Sequence, residues 1–157
     1  MTDATTKTEV TKSATFNVVG QFAKDISLEC PLPPFAKEAE NLKMQMDVGI
    51  GVRSLDGNEG HHEVSLKLRA ESKNEAEETC YLAEVEYAGV FLLKNFPEEQ
   101  ITPLLSIDGA ALIFPFARQI LTQLICDAGY RSPVIAPVNF HAMYSQAQQQ
   151  QKSEKAS

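Results

Sequence analysis

The fold is decided by residues 104–144, LLSIDGAALIFPFARQILTQLICDAGYRSPVIAPVNFHAMY, which hold the longest apolar run of the chain. From residue 113 onward the apolar side chains recur at steps of three and four, the spacing of one helix face. They are Ile113, Phe116, Ala117, Ile120, Leu121, Leu124 and Ile125. This face covers about half of the helix circumference, more than one sheet can cover. The part of this apolar face that the sheet cannot cover predicts that the helix also packs on a second copy of itself, through Phe116, Ile120, Leu121 and Leu124.

The same stretch predicts where its helices begin and end. We expect the long helix to begin at residue 107 or 108, where the Asp108 carboxylate suits the positive end of the helix dipole. Pro115 removes one backbone donor and predicts a bend or a restart, and Gly129 predicts the C-terminal stop. Asn139 is a good N-cap and predicts a second helix from 140 to about 148.

Upstream, alternation of apolar and polar residues predicts four antiparallel strands with one wet face, at 15–29, 42–53, 62–72 and 79–93. The fold class is therefore α+β, a four-stranded antiparallel sheet with one long and one shorter C-terminal helix packed on one face. The proline-rich connection 30–41 is longer than a hairpin loop, so the first two strands need not be neighbours.

The first and fourth strands each contain an irregularity. One side of the first strand is expected to carry Phe16, Val18, Gly20, Phe22, Ile26 and Leu28. Lys24 interrupts this apolar set and predicts a bulge at residues 23–25. In the fourth strand, Ala88-Gly89 predicts a break in register.

Length and composition are those of one folded domain, with 157 residues of which 43% are hydrophobic. We expect the domain to span residues 15–145 between two disordered polar tails, 1–14 and 146–157. Residues 25–108 carry 17 acidic and 7 basic side chains. This excess of acidic side chains disfavours nucleic acid as a partner, because its phosphates bind Lys and Arg, and it permits a basic protein partner.

Several signals are missing from the sequence. It contains no run of 18 apolar residues, and its polar N-terminus lacks the apolar stretch of a signal peptide, so we expect a cytoplasmic protein without membrane insertion. Cys30, Cys80 and Cys126 lack CxxC spacing and are expected to be buried or half-buried free thiols; neither a metal site nor a cofactor is expected. Catalytic motifs such as GxSxG, the P-loop, GxGxxG and HExxH are absent, so we do not expect an enzyme.

Leu82 is a large apolar residue on the outward side of the fourth strand, beside Glu84 and Glu86. A single exposed leucine is ordinary. The alternative is an apolar anchor within an acidic docking surface. Leu32 and Phe35, in the proline-rich connection, likewise have two interpretations: they close one end of the core, or they line a groove.

Three motifs carry a resemblance to a known family. IFPFAR at 113–118, IAPVNF at 135–140 and KDISLECP at 24–31 resemble the signatures of the SecB protein-export chaperones, and the likeness extends over residues 15–145. The resemblance implies a cytosolic, ATP-independent holdase of Gram-negative bacteria that keeps preproteins unfolded and passes them to the SecA motor. It also implies a homotetramer, a dimer of dimers with the long helices between two eight-stranded sheets.

The resemblance further implies roles for individual residues. The positions that dock SecA in the family correspond to Asp25, Glu29, Leu82 and Glu84. A client groove between the long crossover loop and the second helix corresponds to Leu32, Phe35, Met44, Phe140 and Tyr144. Methionine and aromatic side chains suit such a site because they repack for many partners. Two positions depart from the family pattern, Phe116 in place of tyrosine and His141 in place of an acid.

The sequence disfavours two other functions. A hotdog-like small-molecule enzyme is disfavoured because its long helix precedes most strands, whereas here it follows all four. A SecB-like chaperone dedicated to one partner, such as a toxin–antitoxin pair, is disfavoured by the intact docking acids.

Overall fold

The computed structural model describes residues 12–156 and contains one antiparallel sheet with helices packed on one side. The strands are β1 (Thr15–Glu29), β2 (Lys43–Ser54), β3 (His61–Lys73) and β4 (Thr79–Lys94). Their order in the sheet is β1-β4-β3-β2, so β1 and β2 lie at opposite edges. The predicted α+β fold, with a crossover between strands that are not neighbours, is confirmed. The crossover loop between β1 and β2 includes one short 3-10 turn, Lys37–Ala39.

The core lies between the two central strands and the long helix. Alternate residues of β3 and β4 are buried, among them Leu66, Leu68 and Val85. The helix contributes Ile113, Ala117, Leu121 and Ile125, all of them fully buried. These four are separated by steps of four, so they form one row along the helix that faces the sheet.

Gly89 allows a close approach of helix and sheet and does not interrupt β4. The pairing of β4 with β3 is regular on both sides of this residue, with Gly89 opposite Val64. A Cβ atom at Gly89 would lie 2.8 Å from the Ile113 Cγ2 atom and 2.9 Å from the Phe91 Cε2 atom. The expected register break at Ala88-Gly89 was therefore wrong, because the glycine is explained by packing against the helix.

Two β-bulges set the orientation of β1. One lies at residues 23–25, where Lys24 predicted it, and this prediction is confirmed. The other, at residues 18–20, was not expected. Between the bulges the alternation is inverted, since each extra residue moves the following side chains to the other face. Phe22 is therefore opposite Ala88 on the outer face and 44% exposed, not on the apolar side where the sequence placed it.

The helical region begins earlier than expected. Helix α1 (Glu98–Leu104), a π-helical turn (Leu105–Gly109) and helix α2 (Ala110–Asp127) follow one another without a break. The expected start at 107 or 108 was wrong, because a proline in the helix loses only one backbone bond and Pro103 is accommodated in α1. Irregular geometry occurs at the π-helical turn, and α2 runs through Pro115 without restarting.

Helix α3 (Phe140–Lys155) begins where it was predicted to begin. Its cap is Asn139, whose Oδ1 atom accepts a hydrogen bond from the Ala142 N–H at 3.0 Å. The helix ends later than expected and includes most of the segment predicted to be a disordered tail. Glutamine, lysine and glutamate are good helix formers, and neither glycine nor proline interrupts them. The expected N-terminal tail lies mostly outside the described residues.

The continuous helical segment Glu98–Asp127, 30 residues long, has the length and composition that would allow it to cross a membrane. Core helices of soluble proteins have the same properties, and 44% of its most apolar window is buried inside this chain. The buried side chains pack on the sheet of their own protomer.

Candidate docking face, client cavity and association face

The outward face of β1 and β4 brings the predicted docking residues together. Leu82, Glu84 and Glu86 alternate with buried residues of β4 and point away from the helices. Their partners on β1 are Glu29, Ser27 and Asp25, in that order. Directly paired residues of antiparallel strands share a face, so Asp25, Glu29, Leu82 and Glu84 lie on one contiguous surface. We call the outward side chains of Asp25, Ser27, Glu29, Leu82, Glu84 and Glu86 the docking face.

The third strand adds charges beside the docking face. Glu71 lies opposite Leu82, so this leucine has a carboxylate on each neighbouring strand, Glu71 on β3 and Glu29 on β1. The Thr79 hydroxyl donates a hydrogen bond to Glu71 at 2.9 Å. This bond, followed by the nearby cations Lys73 and Arg69, lowers the pKa of Glu71 against the opposing effect of burial. An apolar side chain therefore lies in anionic surroundings.

Arg69 is a cation among three carboxylates at the centre of the sheet. It is opposite Glu84 on one side and Asp47 on the other. Its Nε atom lies 3.2 Å from Glu84, and its Nη1 atom lies 3.4 Å from Glu71 and 3.6 Å from Asp47. The sequence placed Arg69 on the outward side of its strand but did not indicate these contacts. Only the register of three strands identifies its neighbours.

A second ionic cluster lies further along the outer face. Glu63 is 5% exposed and accepts hydrogen bonds from Lys24 at 2.8 Å and Arg53 at 3.0 Å. Its bond to Arg53 contributes most to lowering the pKa of Glu63, and Lys24 lowers it further, against the opposing effect of burial. Lys24 Nζ also lies 3.9 Å from Glu86. The cluster therefore joins the buried carboxylate to the edge of the docking face.

A cavity of about 780 Å³ opens between the crossover loop, the start of β2 and the chain that follows α2. We call it the client cavity. Its lining includes the apolar or aromatic side chains Pro34, Leu42, Met44, Tyr81, Tyr130 and Val134. The Tyr130 hydroxyl contacts the carbonyl oxygens of Leu32 and, at 3.0 Å, Cys80. Burial raises the pKa of Tyr130 to about 12. The two hydroxyl contacts tie the crossover loop to β4.

The predicted groove residues on the crossover loop and β2 are arranged as follows. Met44 lines the client cavity. Leu32 is half-buried and packs against the core, as in the first of the two interpretations given above. Phe35 is 88% exposed and does not line the cavity. Its apolar ring is accessible from solvent beside the loop.

The predicted groove residues on helix α3 lie elsewhere. Phe140 is only 3% exposed, and its ring meets Phe114 edge to face with 5.6 Å between centroids. The assignment of Phe140 to the groove therefore needs correction, because the capped start of α3 places this ring in the core. Tyr144 is half-buried, and its hydroxyl accepts a hydrogen bond from Gln148. The wall opposite the crossover loop is the segment 129–134 that precedes α3.

A shallow depression of about 410 Å³ lies between α2 and β1. We call its apolar lining, formed by Ile26, Tyr87, Phe116, Ile120 and Leu124, the association face. Ile26 and Phe116 are each 46% exposed, so large apolar side chains face solvent in the protomer. Leu121, predicted as a fourth interface residue of α2, is fully buried instead. It belongs to the sheet-facing row because it follows Ala117 by four residues.

The ionisable residues do not form a metal centre within the described part of the chain. No group of three or more His, Cys, Asp or Glu side chains in residues 12–156 is arranged to hold a metal ion. The three cysteines are free thiols, of which Cys80 is buried and Cys126 half-buried, as expected, whereas Cys30 is exposed, contrary to the expectation. The described residues instead present acidic and apolar surfaces and an open cavity.

Comparison with known proteins identifies the family. The profile described as "Preprotein translocase subunit SecB" matches residues 9–151. The protein-export protein SecB of Thioalkalivibrio sulfidiphilus is 40% identical over 136 residues, which cover 86% of this chain and 80% of that protein. That of Magnetococcus marinus is 33% identical over 144 residues, 90% of this chain and 91% of that protein. The chain therefore belongs to the SecB family of protein-export chaperones.

A solved structure shares the fold. It is a SecB-like chaperone of Mycobacterium tuberculosis in complex with a ChAD peptide from the HigA1 antitoxin. The TM-score is 0.68 at 15% sequence identity, and the match covers 78% of this chain and 90% of that one. The likeness supports the arrangement of sheet and helices described above.

Proposed function

We propose that this chaperone is an ATP-independent holdase of the cytoplasm that keeps preproteins unfolded and delivers them to the SecA motor. The observation that carries the proposal is the docking face, on which Asp25, Glu29, Leu82 and Glu84 are side by side. The proposal includes neither catalysis nor a cofactor, and neither nucleic acid nor insertion into a membrane.

The docking face suits a basic partner with an apolar contact of its own. Carboxylates of the docking face and of Glu71 surround the half-exposed Leu82. Complementary charge steers association and suppresses wrong partners, whereas a desolvated apolar contact supplies affinity. A leucine surrounded by acids therefore favours a partner surface with an apolar pocket and Lys or Arg around it.

The client cavity and the exposed Phe35 suit unfolded chains. Unfolded preproteins expose apolar segments that a folded protein buries, so a holdase can recognise them without a sequence motif. Met44 lines the cavity and is half-buried, so it offers an adaptable apolar contact. Tyr144 on α3 does not line the cavity and has a secondary place in the proposal.

The association face supports a homotetramer built as a dimer of dimers. Phe116, Ile120 and Leu124 are the predicted interface residues that line it. Strand β1 is an edge of the sheet and exposes Val18 and Val19 by 41% and 57%. An exposed apolar edge strand is a template for pairing with another chain. We propose that β1 of two copies pair, which extends four strands to eight, and that the α2 helices meet between two such sheets.

Introduction of a positive charge on the docking face tests SecA delivery. Leu82→Arg and Glu84→Lys are expected to leave assembly and client holding unchanged and to weaken binding to purified SecA. Glu59→Lys is the matched control, because this exposed acid lies in the turn between β2 and β3. Unchanged SecA affinity in both docking variants would refute the docking assignment.

Loss of an exposed ring tests client binding separately. Phe35→Ser is expected to reduce protection of an unfolded preprotein from aggregation, because it removes an accessible apolar surface without touching the core. Binding of SecA to the same variant serves as the internal control and is expected to be normal. Full protection by Phe35→Ser would remove this residue from the client site. Equal protection of several unrelated preproteins would argue against a chaperone dedicated to one partner.

A further inference from the structure

We propose that Arg69 tunes the docking face by competing with the basic partner for Glu84. This inference rests on the SecA docking proposed above and adds a residue that sets its strength and selectivity. It is derived from the contacts of Arg69 in the sheet.

Arg69 and Glu84 form the central pair of one cross-strand row. The row reads Asp47 on β2, Arg69 on β3, Glu84 on β4 and Ser27 on β1. Ser27 is neutral, so within this row the only cation beside Glu84 is the Arg69 guanidinium, 3.2 Å away. The Glu84 and Arg69 side chains are 28% and 37% exposed, so both remain accessible to an approaching protein.

The position of Arg69 weakens the docking of a basic partner at Glu84. A Lys or Arg of the partner that approaches Glu84 must share the carboxylate with the guanidinium and is repelled by it. Glu71 and Asp47 hold the same guanidinium, at 3.4 and 3.6 Å, and limit its movement away from Glu84. Arg69 therefore weakens binding of any basic surface, and a partner binds well only if it also makes the contact at Leu82.

Lys67 provides a matched control on the same strand. It lies two residues from Arg69 on the same outward face, opposite Glu86. Unlike Arg69, it forms no ion pair within 4.0 Å with another of residues 12–156. Removing either cation changes the net charge equally, but only removal of Arg69 releases Glu84.

The experiment compares Arg69→Gln with Lys67→Gln in the full chain. SecA affinity is measured by calorimetry at several salt concentrations, and the fold and the assembly of each variant are checked by thermal melting and solution mass. Arg69→Gln is expected to bind SecA roughly three- to fivefold more tightly at low salt, the size of effect that an exposed ion pair has. Lys67→Gln is expected to gain less, and the Arg69→Gln advantage is expected to shrink as salt rises.

A double-variant cycle shows whether Arg69 acts through Glu84. In a Glu84→Gln background, Arg69→Gln is expected to improve affinity no more than Lys67→Gln does. Arg69→Lys retains the charge and is expected to bind close to wild type, which provides a second test if the glutamine variant is unstable. Equal affinities of Arg69→Gln and Lys67→Gln, or weaker binding by Arg69→Gln, would overturn the inference. Failure of the wild-type protein to bind SecA would instead refute the proposed function itself.

Discussion

Lys24 on the edge strand β1 reaches across β4 to Glu63 on β3, with 2.8 Å between Lys24 Nζ and Glu63 Oε1. Lys24 is the extra residue of the bulge at 23–25, and Asp25 follows it directly. The bulge restores the register that places Asp25 opposite Glu86. The ion pair therefore stabilises the bulge that orients an acid of the docking face.

The Glu63 cluster predicts a loss of stability in acid. The hydrogen bond from Arg53, and after it Lys24, lowers the pKa of Glu63 below its ordinary value of 4.5. A carboxyl group with a depressed folded-state pKa stabilises the fold above its unfolded pKa, and this contribution is lost as pH falls through the folded value. The Glu63→Gln variant is expected to be less stable than the wild-type protein at pH 7. Between pH 7 and pH values below 4.5, its free energy of unfolding is expected to fall less than that of the wild type.

Urea denaturation over a pH series measures this effect. Glu59→Gln, in an exposed turn, is the control and is expected to follow the wild-type curve. A Glu63→Gln variant whose free energy of unfolding has the wild-type pH dependence would contradict the assignment.

Gly89→Ala is expected to destabilise the fold by about 1–3 kcal/mol, the usual effect of overpacking a core. The added Cβ would meet Ile113 at 2.8 Å, so the helix must shift. Gly20→Ala is the matched control, since a Cβ there has nothing within 4 Å. Thermal and urea unfolding of both variants measure the difference. Equal stability of the two would mean that the helix does not depend on Gly89 for its approach.

Tyr130→Phe is expected to destabilise the fold by about 1–3 kcal/mol, because buried carbonyl oxygens lose their donor. The carbonyls are those of Leu32 and Cys80. Hydrogen exchange is expected to accelerate in the crossover loop, which the phenol ties to β4. Tyr144→Phe removes a hydroxyl whose hydrogen bond among residues 12–156 is with Gln148 of the same helix, and it is expected to change neither the stability nor the exchange rate in the loop. Wild-type exchange in the loop of Tyr130→Phe would exclude this role.

Phe116→Glu is expected to reduce the solution mass of the assembly while the protomer stays folded, because this ring is 46% exposed on the association face. Val134→Glu makes the same change at a residue that is 93% exposed in the segment before α3, and it is expected to assemble normally. Leu121→Glu buries a charge in the core and is expected to unfold the protomer. A wild-type mass for Phe116→Glu would remove the association face from the interface.

Predictions from the sequence were correct where one local signal decides the structure. Asn139 begins α3 because its side chain caps the first turn, and Gly129 stops the long helix because it adopts a φ of +91°. Lys24 identified one bulge because a charge interrupted an apolar set. In each case the relevant contacts lie within a few residues of chain.

The start of the long helix and the end of α3 were misjudged from local signals, and three further predictions failed because a residue's partner is distant in the chain. Gly89 was interpreted as a strand break because its packing partner, Ile113, is on another element. Phe22 was assigned to the wrong face because a second bulge, without a charged residue to mark it, inverts the alternation. Leu121 and Phe116 belong to one wide apolar arc, and only the position of the sheet separates the buried row from the exposed one.

The sequence by itself determined the class of the fold, the limits of its strands and the acidic character of its outer face. These follow from hydrophobic period, turn residues and charge, which act over short distances along the chain. Tertiary structure alone decided which acids are neighbours, that Arg69 lies among three of them, and which side of α2 remains uncovered. Strand register and helix packing join residues that are far apart in sequence, so no local pattern encodes them.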